Sequence, residues 1–423
     1  MGRCPGCGSW NSFTETKSRR VVAEGSSVPL DVVETKSAAR LDTGNQELNR
    51  VLGGGFMRGS SVLIGGEPGI GKSTFMLQLA SSVRTEGRVL YVSGEESAAQ
   101  IRMRADRLQL VLNKIEVLSE TGLDVILNVV DKVRPALVII DSVQTIYKEE
   151  ASAVPGTVSQ LKHCTQELTT HIKKSGACLF LVGHVTKEGV IAGPKVIEHM
   201  VDTVLYFDLA EMGIRLLRPS KNRFGSTEEI GIFQMNEKGL VSVRDPALLF
   251  LEHRQGDLPS GVAVAPVFEG SRILFVEIQS LVVSAKGGGS RVFSDKIDSR
   301  RVSRIAAVLE SHLNLQLSAF DIYVNVAGGF KIEEVAVDLA LAISLYSAKT
   351  NLSLPAHFAV LGEVSLAGEI RMVPHIDARL KASHEVGFKR IIGPNKTDGR
   401  KFPFYEQVAT LKDAMRRAFA DGQ

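Results

Sequence analysis

The stretch Leu63-Ile-Gly-Gly-Glu-Pro-Gly-Ile-Gly-Lys-Ser-Thr74 decides the fold of this chain. It fits G-x-x-x-x-G-K-[ST] with Gly66, Gly71, Lys72 and Ser73 at the fixed positions. An apolar run, Ser61-Val-Leu-Ile64, leads in, and Thr74-Phe-Met-Leu-Gln-Leu-Ala80 leads out with helical character. Strand, loop and helix are the setting in which the motif has mechanical meaning. The glycines let successive backbone N–H groups turn inward as an anion nest, and the helix N-terminus adds its dipole. Gly66, Glu67, Pro68, Gly69, Ile70, Gly71, Lys72, Ser73 and Thr74 are therefore the expected cradle of a nucleoside triphosphate. Lys72 is placed to reach the β- and γ-phosphates, and the Ser73 hydroxyl to hold Mg²⁺.

Downstream, strand-like and helix-like pieces alternate. Strands are expected at Arg88–Ser93, Lys114–Leu118, Ala136–Asp141 and Ala177–His184, with helices at Ser97–Leu108, Leu123–Val133 and Val158–Lys174 between them. Apolar runs without alternation signal strands covered on both faces, so the fold class is α/β with a largely parallel sheet. Val201–Phe207, Gly213–Leu217 and Glu229–Met235 read as antiparallel edge strands. Asp245-Pro246, Gly256-Asp257 and Pro259-Ser-Gly261 then cluster turn residues, which marks a boundary. Beyond it, strands are expected at Gly261–Phe268, Arg272–Val283 and Asp321–Val326, and helices at Asp298–His312 and Glu334–Ala348.

The chemistry-bearing residues fall at strand ends. Asp141 closes an apolar strand and can hold the Mg²⁺ hydration shell against the phosphates. Glu95, in Ser93-Gly-Glu-Glu-Ser97, is the expected general base on the attacking water, with Glu96 as the alternative. His184 stands where a γ-phosphate sensor would. Lys221-Asn-Arg-Phe-Gly225 lies downstream of everything one pocket needs. Lys221 and Arg223 could there supply cationic charge to a neighbouring subunit's γ-phosphate. A second set of cations, Lys286, Arg291, Lys296, Arg300, Arg301 and Arg304, surrounds flexible glycines and a helix start. It suits phosphate-backbone contacts, and Lys187 in a loop after His184 is a further DNA-contact candidate.

Composition sets the outer bounds. A net charge of +3 is too small to argue for a nucleic-acid partner, so such a claim must rest on local clusters. No apolar run approaches the roughly 18 residues of a membrane span, and the N-terminus has no signal-peptide core. Four cysteines in 423 residues do not make a disulfide scaffold, and a cytoplasmic protein is expected. Cys4-Pro-Gly-Cys7 is half of a Cys₄ zinc site without a second pair, so bound Zn²⁺ is not the favoured reading. Cys164 and Cys178 are expected as buried thiols.

Taken in order, several motifs resemble the bacterial RadA (Sms) family of DNA repair and recombination proteins. They are Leu52-Gly-Gly-Gly55, the loop Gly65–Ser73, Val92-Ser-Gly-Glu-Glu-Ser97, Gly183-His-Val-Thr-Lys-Glu-Gly189 and Lys221-Asn-Arg-Phe-Gly225. The resemblance implies a RecA-like P-loop ATPase core using ATP and Mg²⁺, and a ring of subunits, usually six. It also implies ATP-driven movement on single-stranded and branched DNA, and branch migration alongside the RecA recombinase in homologous recombination. It agrees with Glu95 as catalytic glutamate and with Lys221 and Arg223 as trans-acting fingers.

The C-terminal third resembles Lon protease domains, but Ala336 stands at the nucleophile position and Asp377 at the lysine position. Without hydroxyl and base, acyl transfer has no starting point. The expected layout is a partial, truncated Cys₄ zinc finger at 1–13, a linker at 14–38 and a RecA-like ATPase domain at 39–243. A second linker at 244–260 and a peptidase-dead Lon-like domain at 261–423 complete it. Two other classes, an ATP-gated peptidase and an ATP-regulated assembly scaffold like the circadian-clock ATPases, compete with the DNA motor.

Overall fold

Val62 and Ile64 pack to one side of their sheet and Leu63 to the other, and none of the three touches solvent. That two-sided burial is what an unbroken apolar run demands, and helices on both faces supply it. The structure is a computed structural model that describes residues 40–149, 157–184, 194–210, 213–243, 245–252, 256–285, 290–329, 331–396 and 402–420. Residues 40–423 form one compact unit. Cys4, Cys7, Lys187 and Lys286 lie outside the described residues. Among the described residues, no helix is long and apolar enough to cross a membrane.

A short antiparallel pair, β1 (Arg40–Leu41) and β2 (Phe56–Met57), brackets helix α1 (Gln46–Val51). Strands β3 (Ser61–Gly66), β4 (Val89–Ser93), β5 (Ile115–Ser119), β6 (Leu137–Asp141) and β7 (Cys178–Val182) follow. Between them run helices α2 (Lys72–Ser82), α3 (Ala98–Arg107), α4 (Leu123–Val133) and α5 (Val158–Ser175). With β8 (Thr203–Leu209), β9 (Ile214–Asn222), β10 (Gly231–Asn236) and β11 (Gly239–Ser242) they make a nine-stranded sheet. Its order is β11-β10-β9-β8-β3-β7-β6-β4-β5. Sequence-local signals fix several ends: Ser97 and Gln100 close a capping box on α3, and Gly176, at φ +74°, ends α5.

One expectation is corrected here. Val201–Phe207 is not an antiparallel edge strand, because β8 lies parallel against β3, Val62 beside Thr203 and Gly66 beside Phe207. Only β9, β10 and β11 run antiparallel.

In the C-terminal half, β12 (Val262–Glu269) and β13 (Arg272–Ser284) form a hairpin. A four-stranded sheet β12-β13-β15-β14 then adds β14 (Val292–Ser294), parallel to β15 (Phe320–Val326). Helices α6 (Ser299–Leu313) and α7 (Asp338–Thr350) cover it. The expected helix at Glu334 begins only at Asp338, after a 3₁₀ turn over Val335–Val337. A three-stranded parallel sheet of Phe358–Val360, Arg390–Pro394 and Tyr405–Val408 has no counterpart among the sequence-based expectations.

The two halves share more than a tether. Ile214, Leu216, Ile230 and Ile232 belong to the same apolar cluster as the C-terminal sheet. Arg272 donates to both oxygens of Glu47 in α1, whose Oε2 also accepts from Ile232 N at 2.9 Å. Arg218 pairs with Glu269, and Ser271 Oγ donates to Glu229 at 2.8 Å.

Arg301, expected on a DNA-contacting face, is instead taken into the fold. Its Nε donates to Asp338 at 2.5 Å and its Nη2 to the Glu334 carbonyl at 2.6 Å. Asp338 is fully buried, and burial pushes its pKa up against the opposing pull of Arg301 and Arg304. Removing one partner of such a pair strands a charge. Arg301→Ala should therefore cost about 3 kcal/mol in urea unfolding. Arg300→Ala, whose side chain is 90% exposed, should change stability little.

Candidate active site

The carboxyl ends of β3, β4, β6 and β7 converge, because four adjacent parallel strands all point their last residues the same way. From β3 the chain turns through Gly66, Glu67, Pro68, Gly69, Ile70 and Gly71 into α2, which opens with Lys72, Ser73 and Thr74. Gly71 is left-handed at φ +112°, and a Cβ there would come within 2.7 Å of Met235. Arg215 of β9 donates through Nε to the Ile70 carbonyl at 3.0 Å and so holds the loop from the antiparallel side.

Lys72 is buried and folded back on its own loop, donating to the carbonyls of Gly66 at 2.7 Å and Glu67 at 2.9 Å. Burial lowers its pKa to about 8, against the upward pull of Asp141 and Glu95. An ammonium held by two carbonyls in a desolvated loop is one that a phosphate can recruit. Its proton leaves the free site as pH rises through 8, whereas a bound triphosphate favours the charged form. Binding of a non-hydrolysable ATP analogue should therefore take up protons at pH 9 and not at pH 6.5. Calorimetry in two buffers of different ionisation enthalpy reads that difference.

Asp141 ends β6 with little exposure and accepts a 2.6 Å hydrogen bond from the Tyr91 hydroxyl on neighbouring β4. Tyr91 is itself buried, and its pKa is raised well above the ordinary phenol value by burial and by Asp141. The Asp141–Ser142 peptide bond is cis. Ser142 Oγ donates to Glu95 Oε1 at 2.7 Å, and the same Glu95 oxygen stands 3.6 Å from His184 Nε2. Glu96 is turned aside: its carboxylate pairs with Arg104 on α3, and its backbone N–H donates to Ser93 Oγ at 2.9 Å.

His184 follows β7. Burial, and then Lys72, lower its pKa against the upward pull of Glu95 and Asp141, which favours the neutral ring. Its Nδ1 is buried and makes no hydrogen bond among the described residues. The set fits a Mg²⁺-nucleotide: hard oxygen donors on Ser73 and Asp141 and a cation at Lys72. Among the described residues no group of three or more His, Cys, Asp or Glu side chains could by itself hold a metal. A magnesium site made of one hydroxyl, one carboxylate and substrate phosphates is the kind that such a count leaves out.

Lys221 and Arg223 are not in this cluster. The register sets Lys221 against Val204 and Asn222 against Thr203, at the amino end of β8, while the phosphate loop leaves the opposite end of β3. Lys221 Nζ donates to the carbonyls of Glu198, His199 and Val201, and Arg223 pairs with Asp202 at 3.2 Å.

The described C-terminal arginines are tied to acids of the fold. Arg291 pairs with Asp321, Arg300 with Asp298, and Arg304 with Asp338 from a half-exposed position. Next to Arg291, Phe293 and Tyr323 stack with centroids 4.7 Å apart on an exposed sheet face. Sequence reasoning did not find this pair, because only the parallel register of β14 and β15 puts the two rings side by side. Cys164 and Cys178 are buried, and burial pushes both thiols to about 11.

Comparisons with known proteins bear on what this geometry does. Residues 29–190 match the family model described as an AAA domain, and residues 295–397 match the one described as subunit ChlI of Mg-chelatase. The DNA repair protein RadA of Treponema pallidum (strain Nichols) is 50% identical, over 99% of this chain and 94% of its own length. That of Halalkalibacterium halodurans is 46% identical over 98% and 94%. That of Bacillus subtilis (strain 168) is 44% identical over 93% and 89%.

Proposed function

The chain belongs to the DNA repair protein RadA family, and from that premise we propose that it is a DNA-dependent ATPase. It acts as a ring-shaped motor, usually of six subunits, on single-stranded and branched DNA. There it extends strand-invasion intermediates by branch migration with the RecA recombinase. A DNA repair ATPase is what the relatives and the AAA match support directly.

The observation that carries the motor reading is the split between the two ends of the sheet. Lys72, Ser73, Asp141, Glu95 and His184 gather at the carboxyl end, and Lys221 and Arg223 stand at the other. Cations that cannot turn back to their own chain's phosphates can serve a neighbour's, which is the logic of an arginine finger in trans.

Within one pocket the backbone of Gly66–Gly71 cradles the phosphates, and Lys72 leaves its carbonyl partners for the β- and γ-oxygens. Ser73 and Asp141 would hold Mg²⁺, which when bound neutralises charge on those oxygens. Tyr91 fixes one Asp141 oxygen. Glu95, oriented by Ser142, aligns the attacking water and takes its proton. Neutral His184 reads the γ-phosphate and, through its contact with Glu95, reports its presence to the base.

For DNA we retain Arg291, Arg300 and Arg304 with Lys187 and Lys286 as phosphate contacts, and leave Arg301 out because the fold consumes it. The C-terminal half serves as a Lon-like, peptidase-dead scaffold, since buried Ala336 offers no nucleophile and Asp377 is engaged by Lys396.

The test is ATP turnover with and without single-stranded DNA. Stimulation by DNA that Lys72→Ala abolishes supports the motor. Turnover indifferent to DNA, with ATP changing only the oligomer's size, would favour the assembly-scaffold reading instead.

A further inference from the structure

Leu52-Gly-Gly-Gly55 stands out in the sequence as a glycine run outside the phosphate loop. It touches the other candidate feature. Gly53 is left-handed at φ +78°, and a Cβ there would lie 3.0 Å from Gly225 Cα and 3.1 Å from the Phe224 carbonyl. The contact is reciprocal: a Cβ on Gly225 would lie 3.0 Å from Gly53 Cα and 2.9 Å from Asn222 Nδ2. Two glycines at that separation let two backbones touch where any side chain would force them apart.

Polar groups close the joint from both sides. Arg40 Nη1 donates to the carbonyls of Leu52 at 3.0 Å and Gly55 at 3.1 Å, and its Nη2 donates to the Phe224 carbonyl at 2.5 Å. Asn222 Nδ2 donates to the Val51 carbonyl at 3.1 Å, while its Oδ1 accepts from Phe224 N at 3.0 Å. One guanidinium thus ties the Leu52–Gly55 turn to the Lys221–Gly225 turn, and the amide between Lys221 and Arg223 locks the same pair of segments. On the far side, Asp202 holds Arg223 through its side chain and backbone, and Asp202 is itself fixed by Ser61.

We propose that Arg40 and the Leu52–Gly55 turn are a buttress that positions Lys221 and Arg223 for the adjoining subunit's γ-phosphate. Arg40 and Gly53 are then positioning residues for hydrolysis in a site they do not touch. This rests on the trans-finger reading above. A finger on a turn works only if its tip is placed to within about an ångström, and a misplacement of that size can cost up to about 10²-fold in rate. Three hydrogen bonds from one guanidinium supply that stiffness, and lysine cannot reproduce the fork.

The experiment compares Arg40→Ala, Arg40→Lys and Gly53→Ala with Arg223→Ala in the full-length chain. It reads kcat, the Kd of a fluorescent ADP analogue, and oligomer size by light scattering. Expected for Arg40→Ala is a fall in kcat of about tenfold or more, an unchanged Kd and an unchanged oligomer, with Arg40→Lys failing to rescue. The double variant Arg40→Ala/Arg223→Ala should turn over no more slowly than Arg223→Ala alone. Mixing Arg40→Ala with Lys72→Ala should give turnover above the sum of the two variants alone, because some interfaces then join an intact loop to a well-placed finger.

Wild-type kcat in both Arg40→Ala and Gly53→Ala overturns the buttress. So does a loss that adds in full to Arg223→Ala, or one traced to a ring that no longer assembles. If Arg223→Ala itself turns over normally, or fails to complement Lys72→Ala, the finger reading falls first. If that pair complements while Arg40→Ala is silent, only the buttress falls.

Discussion

Arg223→Ala is expected to cut ATP turnover by about 10³-fold while leaving nucleotide bound. The charge that develops on a transferring phosphoryl group is best met by a guanidinium that arrives already oriented. Arg223 is exposed over more than half its side chain and is held by a single acid, Asp202, at the end of the sheet away from its own loop. Its loss therefore leaves Lys72, Ser73 and Asp141 untouched. Steady-state turnover and equilibrium binding of a fluorescent ADP analogue separate the two effects. Mixed with Lys72→Ala, the variant should regain turnover above the sum of the two alone, because some interfaces would then join an intact loop to an intact Arg223. No regain of turnover on that mixing would remove the trans role. Lys221→Ala should be harder to interpret, since its ammonium also ties together three carbonyls of the preceding segment.

Glu95→Gln should lower kcat by about 10²- to 10⁴-fold with ATP affinity unchanged or tighter. The amide is isosteric and keeps a hydrogen bond to Ser142, so what disappears is the capacity to accept the water's proton. Glu96→Gln is the control. It breaks the pair with Arg104 on a partly exposed surface, a change worth a fraction of a kcal/mol in stability, and should leave turnover near wild type. The reverse ranking of the two variants would hand the base role to Glu96.

How far the sequence could be read depended on the range of the forces involved. The phosphate loop, Asp141 and the buried strands were legible because they rest on local pattern: spaced glycines, apolar runs, an acid closing a strand. The parallel placement of β8 was not, since Thr203 meets Val62 only through a crossover whose direction no local signal encodes. Nor was the fate of Arg301. A cationic helix face looks the same in sequence whether it meets solvent or Asp338, 37 positions later. Tyr91 was hidden for the opposite reason: a tyrosine in an apolar strand reads as core, and only the neighbouring strand's register brings its hydroxyl to Asp141. Between Glu95 and Glu96, open in sequence, the fold adds a difference that local pattern could not show: Arg104, on the following helix, pairs with Glu96.

The pair between Arg272 and Glu47 has a mechanical consequence. Both side chains are largely withdrawn from water, and Glu47 also carries a backbone N–H of β10, so shearing the β12–β13 hairpin off α1 would expose an unpaired charge and open a shared apolar core. A hinge placed there would be costly to bend. A displacement of the nucleotide-bearing half would carry the C-terminal half with it as the far end of a stiff lever. In an assembly of such chains, compliance would fall at the seams between them, and a displacement begun at Lys72 would be felt, with little loss, at the C-terminal sheet.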